Sequence, residues 1–229
     1  MKARTIVLII LLILIVDQSL KFWVKTHMYY QEQFTLLGSW SRLYFIENEG
    51  MAWGWKFGGE WGKMILTLFR LVAVIFGVFY IRTILRKNYH RGFLICVGLI
   101  FAGALGNLLD SMFYGLIFTE SGDGLPLAKL VTPGSGYAGF LHGRVVDMLY
   151  FPMVEDATLP KWFPFWGGER ITFFSHIFNI ADASISIGVI GILLFQRRFF
   201  KKHPEREVHP TVETSTPVND TVQVLFKNT

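Results

Sequence analysis

The sequence has little cysteine and little charge for its length. Of its 229 residues only one is cysteine, Cys96, and 17% are Asp, Glu, Lys or Arg. A single cysteine cannot form a disulfide within the chain or supply a cysteine-rich metal site. Because Cys96 lies in an apolar run, we interpret it as a small buried hydrophobic residue. The low charge disfavours an ordinary soluble domain, in which about 25% of residues are charged.

The chain is instead rich in apolar residues, with 52% hydrophobic and 16% aromatic residues and a mean hydropathy of +0.41. These values indicate a membrane protein. The formal net charge of +5 does not indicate nucleic-acid binding, because the basic residues stand in short blocks beside apolar runs. Such blocks mark the cytoplasmic flanks of membrane spans. The blocks are Lys2 and Arg4, Arg82 to Arg91, and Arg197 to Arg206.

Four apolar stretches are long enough to cross about 30 Å of hydrocarbon. They run approximately from Thr5 to Trp23, Met64 to Ile84, Phe93 to Phe113, and Phe174 to Phe195. The first has the basic start of a signal peptide, but no small-x-small cleavage pattern follows Val16, so we interpret it as a retained helix. The basic blocks predict that both termini are cytoplasmic and that two long connections, residues 26–62 and 119–173, face outward.

The predicted fold is therefore an all-α membrane protein of four transmembrane helices with a small extracytoplasmic region of strands and loops. The segments Tyr44–Phe57 and Gly143–Phe151 are apolar with glycine interruptions, which is typical of short strands or an interfacial hairpin. We expect one domain over residues 1–200. Residues 201–229 have no sustained apolar period, which predicts a disordered cytoplasmic tail.

Polar residues recur at one depth in three of the predicted spans. Counting about 1.5 Å per residue from the basic flank puts Asp17, Asn107 and Asp182 at about 20, 24 and 22 Å, respectively. Helical spacing of three or four residues adds a neighbour to each on the same face. These neighbours are Lys21, Asp110 and Asn179. If the faces point together, a polar cluster lies in the outer third of the bilayer, and such a cluster is by default a functional site.

Structural roles are open for several of these residues. Asp17 and Lys21 would satisfy each other as a salt bridge at the end of a helix. Asn107 would hydrogen-bond between helices. Asp182 has no basic residue within one helical turn, so it needs a partner from elsewhere in the chain. A metal site on the two candidate histidines, His142 and His176, is disfavoured because no HExxH motif or cysteine pair accompanies them.

Five short blocks then resemble one known family, the bacterial lipoprotein signal peptidases, also called signal peptidase II. They correspond to that family's DQxxK, NxG, GNLID, VVDF and FNxADS elements, in the same order, and the resemblance covers roughly residues 5–197. The blocks are DQSLK (Asp17 to Lys21), NEG (Asn48 to Gly50), GALGNLLD (Gly103 to Asp110), GRVVDML (Gly143 to Leu149) and FNIADASI (Phe178 to Ile185).

The resemblance implies an intramembrane aspartic endopeptidase whose catalytic pair is Asp147 and Asp182. The implied substrate is a diacylglyceryl-modified prolipoprotein, cut just before the lipidated cysteine. It also implies a supporting set of substrate-binding and structural residues and neither a cofactor nor a metal. That set is Asn48, Gly50, Asn107, Asp110, Asn179, Ala181, Asp17 and Lys21.

The same resemblance implies the setting of the protein. We expect a monomer in the bacterial inner membrane with its active site toward the extracytoplasmic face. Its partners would be the lipidated prolipoprotein, membrane lipids and globomycin-type inhibitors. At three positions the chain departs from the family pattern: Ser111 replaces a frequent arginine, Met148 replaces phenylalanine, and Ala183 displaces the FNxADS serine to Ser184.

Two other functions are open. A small transporter or proton-coupled channel would also gather acids and amides at one depth, although no matching row of acids continues to the cytoplasmic side. A serine peptidase would use Ser184 or Ser175 with Lys21 as its base. Asp17, one turn away, disfavours this because it would keep Lys21 charged.

Overall fold

Four long apolar helices dominate the described part of the chain. The computed structural model describes residues 3–38, 40–48, 59–87, 89–132, 134–152, 154–158, 160–162, 164, 167–173 and 176–200. The long helices are α1 (Ala3–His27), α2 (Gly59–Arg86), α3 (Arg91–Leu109) and α5 (Ile180–Phe199). After α3 the chain continues through a π-helical turn, Asp110–Tyr114, into the short α4, Gly115–Ile117. Each long helix is apolar enough to span a membrane.

A small antiparallel sheet lies at one end of the helices. Four strands follow the spatial order β1-β2-β3-β6, and two further strands, β4 and β5, pair with each other. The strands are β1 (Gln33–Leu37), β2 (Ser41–Asn48), β3 (Val145–Tyr150), β4 (Val154–Thr158), β5 (Arg170–Phe173) and β6 (Ile177–Phe178). The predicted strand segments thus contain β2 and β3, which pair with each other directly.

The helical spans and the small sheet confirm the main part of the predicted fold, although the six strands found among the described residues make the name all-α too narrow. The fourth helix was predicted to begin at Phe174, but it begins at Ile180, because Ile177–Phe178 is a strand paired with β3. Apolar composition alone does not separate a buried strand from a helix. Which membrane face each terminus meets stays a prediction, and residues 201–229 lie outside the described residues.

Helix α3 is the centre of the bundle. Half of its apolar window is buried inside the protein, against 11–17% for the other three spans. Its glycines allow a close approach to α5: a Cβ on Gly103 would lie 2.2 Å from the carbonyl oxygen of Ala181, and one on Gly106 would lie 3.3 Å from the Cβ of Ala181. Small residues at helix contacts bring backbones together in this way in membranes. The start of α5 is therefore fixed against α3.

An apolar core joins the sheet to the ends of the helices. It combines the last turns of α1, the inner faces of β2 and β3, and the segment that follows α3. Five fully buried members represent these elements: Val24, Phe45, Phe118, Val146 and Met148. The burial of these side chains holds β3 against the bundle, so a residue on β3 has a defined position relative to α5.

Candidate active site

The pairing of β3 with β6 brings Asp147 to the start of α5. Leu149 pairs with Phe178 and Tyr150 with Ile177, in antiparallel register. Asn179 follows β6 directly and is the N-cap of α5. The sheet thus delivers a carboxylate from a connecting segment to the first turn of the last span.

The start of α5 is a capping box built from Asn179 and Asp182. The Asn179 side-chain oxygen accepts a hydrogen bond from the Asp182 backbone N–H at 2.9 Å. In return, the backbone N–H of Asn179 donates to Oδ2 of Asp182 at 3.4 Å. A carboxylate in the first turn is favoured because the first N–H groups of a helix have no partner within the helix, and because of the helix dipole. Asp182 therefore has a local structural partner, which the span predicted from Phe174 would not provide.

Asp147 is buried and receives two amide hydrogen bonds. Asn179 Nδ2 donates to its Oδ1 at 2.6 Å, and Asn48 Nδ2 donates to its Oδ2 at 3.3 Å. Burial, and next the charge of Asp182, raise the pKa of Asp147 to about 7, while the nearby Lys21 ammonium opposes this rise. Near neutral pH this carboxyl can therefore both hold and release a proton.

Two asparagines join Asp147 to Asp182. Asn107 Nδ2 donates to Oδ1 of Asp182 at 2.8 Å, and its own oxygen accepts from Asn179 Nδ2 at 3.2 Å. Since Asn179 also donates to Asp147, one chain of hydrogen bonds runs from one carboxyl through both amides to the other. The structure thus brings together the two predicted catalytic aspartates and two of the asparagines predicted to support them.

Lys21 lies directly behind the amide chain and is fully buried. Its Nζ lies 3.0 Å from Asp17 Oδ2 and 2.7 Å from Asp110 Oδ2, and it donates to Asn107 Oδ1 at 2.9 Å. An ammonium only donates, so this contact requires the oxygen of Asn107 to face Lys21 and its NH2 group to face Asp182. Lys21 therefore sets the orientation of an amide that contacts the carboxyl pair.

Asp17 and Asp110 tie the site to its neighbouring elements. Asp17 Oδ1 accepts from the backbone N–H of Ala181 at 2.9 Å, so α1 caps the first turn of α5. Asp110 Oδ1 accepts from Gln18 Nε2 at 2.8 Å, and its Oδ2 accepts from the backbone N–H of Val146 at 3.4 Å. These two aspartates hold the strand and the helix that carry the carboxyl pair.

The remaining candidate residues fall outside this network or outside the described residues. Gly50 and the candidate nucleophile Ser175 both lie among residues the structure does not describe. His142 Nδ1 lies 2.9 Å from the carbonyl oxygen of Phe140. In the described parts of the chain, no three His, Cys, Asp or Glu side chains are grouped so as to hold a metal ion.

The other candidate nucleophile, Ser184, has a local role. Its Oγ donates to the carbonyl oxygen of Ile180 at 2.9 Å, one turn earlier in α5. Lys21, the proposed base of a serine mechanism, is bound by Asp17 and Asp110. This arrangement favours an acid–base pair of carboxyls over a serine–lysine pair.

Sequence analysis missed Arg70, a half-buried residue of α2. Its Nη1 donates at 3.2 Å to Oγ of Ser111, the residue that replaces the frequent arginine of the resembled pattern. The same depth count would have found it, since Arg70 precedes Arg86 by 16 residues and Asn107 follows Arg91 by 16 residues.

Comparison with known proteins places these features in context. Residues 9–198 match the family described as Signal peptidase (SPase) II. The chain is 44% identical to the lipoprotein signal peptidase of Porphyromonas gingivalis strain W83 over 194 residues, covering 84% of this chain and 83% of that protein. It is 33% identical to the lipoprotein signal peptidase of Amoebophilus asiaticus over 216 residues, covering 93% and 86%, respectively.

The fold also resembles a bacterial membrane enzyme whose structure was solved by the in meso method at 2.3 Å resolution. The TM-score is 0.56 with 24% sequence identity, and the alignment covers 89% of this chain and 94% of that one. At this identity the likeness concerns the fold alone.

Proposed function

Because the chain belongs to the signal peptidase II family, we propose that it is an intramembrane aspartic endopeptidase. It removes the signal peptide from diacylglyceryl-modified prolipoproteins by cutting just before the lipidated cysteine. The observation that carries the aspartic assignment is the hydrogen-bonded chain that runs from Asp147 through Asn179 and Asn107 to Asp182.

The proposed reaction needs one proton on the carboxyl pair. Two carboxyls in a poorly hydrated site do not both ionise cheaply, so they hold one proton between them. The ionised member takes a proton from a water molecule as that water attacks the scissile carbonyl. The protonated member donates to the oxygen on which negative charge develops. A coupled pair titrates as a unit, so the two roles belong to Asp147 and Asp182 jointly.

The supporting residues divide into two groups by what they contact. The amides of Asn48, Asn107 and Asn179 contact the carboxyl pair, and we assign them to orienting the pair and the substrate backbone. Asp17, Lys21 and Asp110 form the buried charged support described above, with Asp17 bound to the Ala181 backbone. Gly50 is retained in the proposal from the family pattern alone.

The proposed setting is the inner membrane, with the active site toward the extracytoplasmic face and both termini in the cytoplasm. The basic residues at the opposite ends of the spans support this orientation. A site at the mouth of the bundle suits a substrate whose lipid stays in the leaflet while its signal helix lies beside the enzyme. A monomer that binds globomycin-type inhibitors is part of the same proposal.

Cleavage of a synthetic diacylglyceryl-modified precursor by the purified full-length chain tests the proposal. We expect cleavage before the lipidated cysteine and none of the unlipidated peptide. Asp147→Asn and Asp182→Asn should each lower the rate at least about 100-fold, the scale of lost acid–base catalysis. Asp123→Asn, a matched change of an exposed carboxyl, should leave the rate unchanged.

Folding of each variant is checked by size-exclusion chromatography and thermal unfolding in detergent. A folded Asp147→Asn or Asp182→Asn variant that cleaves at the wild-type rate would refute the aspartic assignment. A wild-type chain that leaves the lipidated precursor intact would refute the proposed substrate.

A further inference from the structure

Arg70 is placed where an unassisted charge is costly. It is the only charged residue of the sequence between Lys63 and Arg82, inside an apolar span. An arginine at the centre of a membrane helix is costly to insert, so such a residue is expected to have a partner and a function. Its distance from Arg86 puts it about 24 Å along the helix, level with Asn107 on the neighbouring helix.

The guanidinium of Arg70 is directed to the carboxyl site through Ser111. Ser111 is buried, accepts from Arg70 Nη1 at 3.2 Å, and donates from the same Oγ to the carbonyl oxygen of Asn107 at 3.0 Å. The Asn107 side chain in turn contacts Asp182. Helix α2 is therefore connected to the site through the contact between Arg70 and Ser111.

Carboxyls from three elements lie within electrostatic range of Arg70. They are Asp182 on α5, Asp110 on the turn after α3, and Asp147 on β3, with the strongest interaction to Asp182. On α1, behind them, lie Asp17 and the ammonium of Lys21. If the pair of Asp147 and Asp182 holds one proton, it carries one negative charge. Together with Asp17, Asp110 and the positive Lys21, these groups then carry two negative charges in excess before Arg70 is included.

We propose that Arg70 is a positioning residue that maintains the singly protonated state of the Asp147 and Asp182 pair by offsetting the charge of its ionised member. Ser111 fixes the guanidinium at the required place. This inference rests on the proposed function, because it concerns the working state of that carboxyl pair. It adds a residue from α2 to a site otherwise built from α1, α3, α5 and the sheet.

The pH dependence of kcat/KM for the lipidated precursor tests the inference. A nearby cation favours ionised carboxyls, so its removal makes both protons of the pair leave at higher pH. In Arg70→Gln we expect both limbs of the bell-shaped profile to move to higher pH by about one unit, because the carboxyl pair loses a cation that favours its ionised forms. Arg70→Lys keeps the charge and should keep both limbs.

Arg82→Gln is the matched control, the same substitution on the exposed surface of the same helix, and it should leave the profile unchanged. A folded Arg70→Gln variant whose limbs coincide with those of wild type overturns the inference, as does an Arg70→Lys variant shifted equally far. In both cases the wild-type chain still cleaves the precursor, so the proposed function is unaffected. Failure of the wild-type chain to cleave would instead refute the proposed function.

If Arg70→Gln does not fold or is too slow for a profile, Ser111→Ala carries the test. Loss of the hydroxyl removes the contact between Ser111 and the guanidinium, so both limbs should move in the same direction by a smaller amount. Unmoved limbs in Ser111→Ala would then overturn the inference.

Discussion

Two lysines one helical turn apart on α1, Lys21 and Lys25, are both fully buried but have different surroundings. Lys21 is held by the carboxylates of Asp17 and Asp110 and by the amide oxygen of Asn107. Each of these partners also contacts an element of the carboxyl site: Asn107 donates to Asp182, Asp17 accepts from the Ala181 backbone, and Asp110 accepts from the Val146 backbone. The first lysine is therefore part of a continuous polar network that ends at the proposed catalytic pair.

Lys25 is held instead by the connections around the sheet. It is paired with Glu47 of β2 and donates to Ser121 at 2.9 Å. Its ammonium also lies over the rings of Phe118 and Tyr137, at 5.3 and 5.0 Å from their centroids. Aromatic rings accept a desolvated cation in this way. The second lysine therefore ties β2 to Phe118, Ser121 and Tyr137, which follow the short helix α4.

The two lysines therefore have different structural roles: Lys21 supports the proposed catalytic pair, and Lys25 supports the fold around the sheet. Asn107 passes the influence of Lys21 to Asp182 by a direct hydrogen bond. Glu47 links Lys25 to Arg144, whose Nη1 lies 3.6 Å away and whose Nη2 donates to Glu120 at 3.1 Å. One buried lysine thus orients the amide of Asn107 beside the proposed catalytic pair, and the other joins three segments of chain.

Lys21→Met should lower both stability and cleavage more than any of the other substitutions. A smaller effect than that of Lys25→Met would contradict the different roles of the two lysines. The Lys21→Met change leaves Asp17 and Asp110 buried without their cation, and removing one partner of a buried ion pair costs about 3–5 kcal/mol. It also frees the Asn107 amide to turn, so we expect cleavage to fall at least about 100-fold, comparable to loss of acid–base catalysis. Thermal unfolding in detergent and cleavage assays measure both, and near-wild-type values would refute the role of Lys21.

Lys25→Met should cost less stability and little activity. Arg144 remains beside Glu47, so the expected loss is about 2 kcal/mol, the scale of a hydrogen bond to a charged group. The cleavage rate per folded molecule should stay within about twofold of wild type, because the carboxyl pair is untouched. A loss of activity equal to that of Lys21→Met, in folded protein, would show that the two lysines have the same role.

The pH dependence of stability sharpens the comparison further, because Asp147 on the Lys21 side has a raised pKa of about 7. The folded protein binds this proton more tightly than the unfolded chain, whose Asp pKa is about 3.9. Its contribution to the free energy of unfolding is therefore fully present below about pH 4 and is lost as the pH rises through about 7. The free energy of unfolding, measured from pH 4 to 8, should decline less steeply in Asp147→Asn than in wild type. An unchanged slope would contradict the raised pKa of Asp147.

Ser184→Ala should have the smallest effect. Its hydroxyl bonds only to Ile180 within the described residues, and a local bond of this kind is worth about 0.5–1.5 kcal/mol. We expect the Ser184→Ala variant and, separately, the Ser175→Ala variant to retain most of the cleavage activity. Complete loss of activity in a folded variant would favour the serine mechanism. Lys21 would then act as a base, and the contrast with Lys25 drawn above would no longer hold.

Depth counting from the sequence predicted much of the site, but only for residues on the spans. It brought Asp17, Asn107 and Asp182 to one level, and the structure joins them. Asp147 lies on a connecting strand, so no count along a helix could have located it, and its assignment came from the resemblance. Arg70 lies within reach of the same count, at the level of Asn107.

The sequence by itself determined the four apolar spans, their basic flanks and the motif blocks, because the cost of placing charge in hydrocarbon is a property of composition and order. Only the tertiary structure decided where α5 begins, since Ile177–Phe178 is as apolar as a helix and becomes a strand by pairing with β3. It also decided which buried lysine serves the carboxyl pair. Lys21 and Lys25 are chemically identical, and their roles differ because hydrogen bonds and ion pairs act only over a few ångströms.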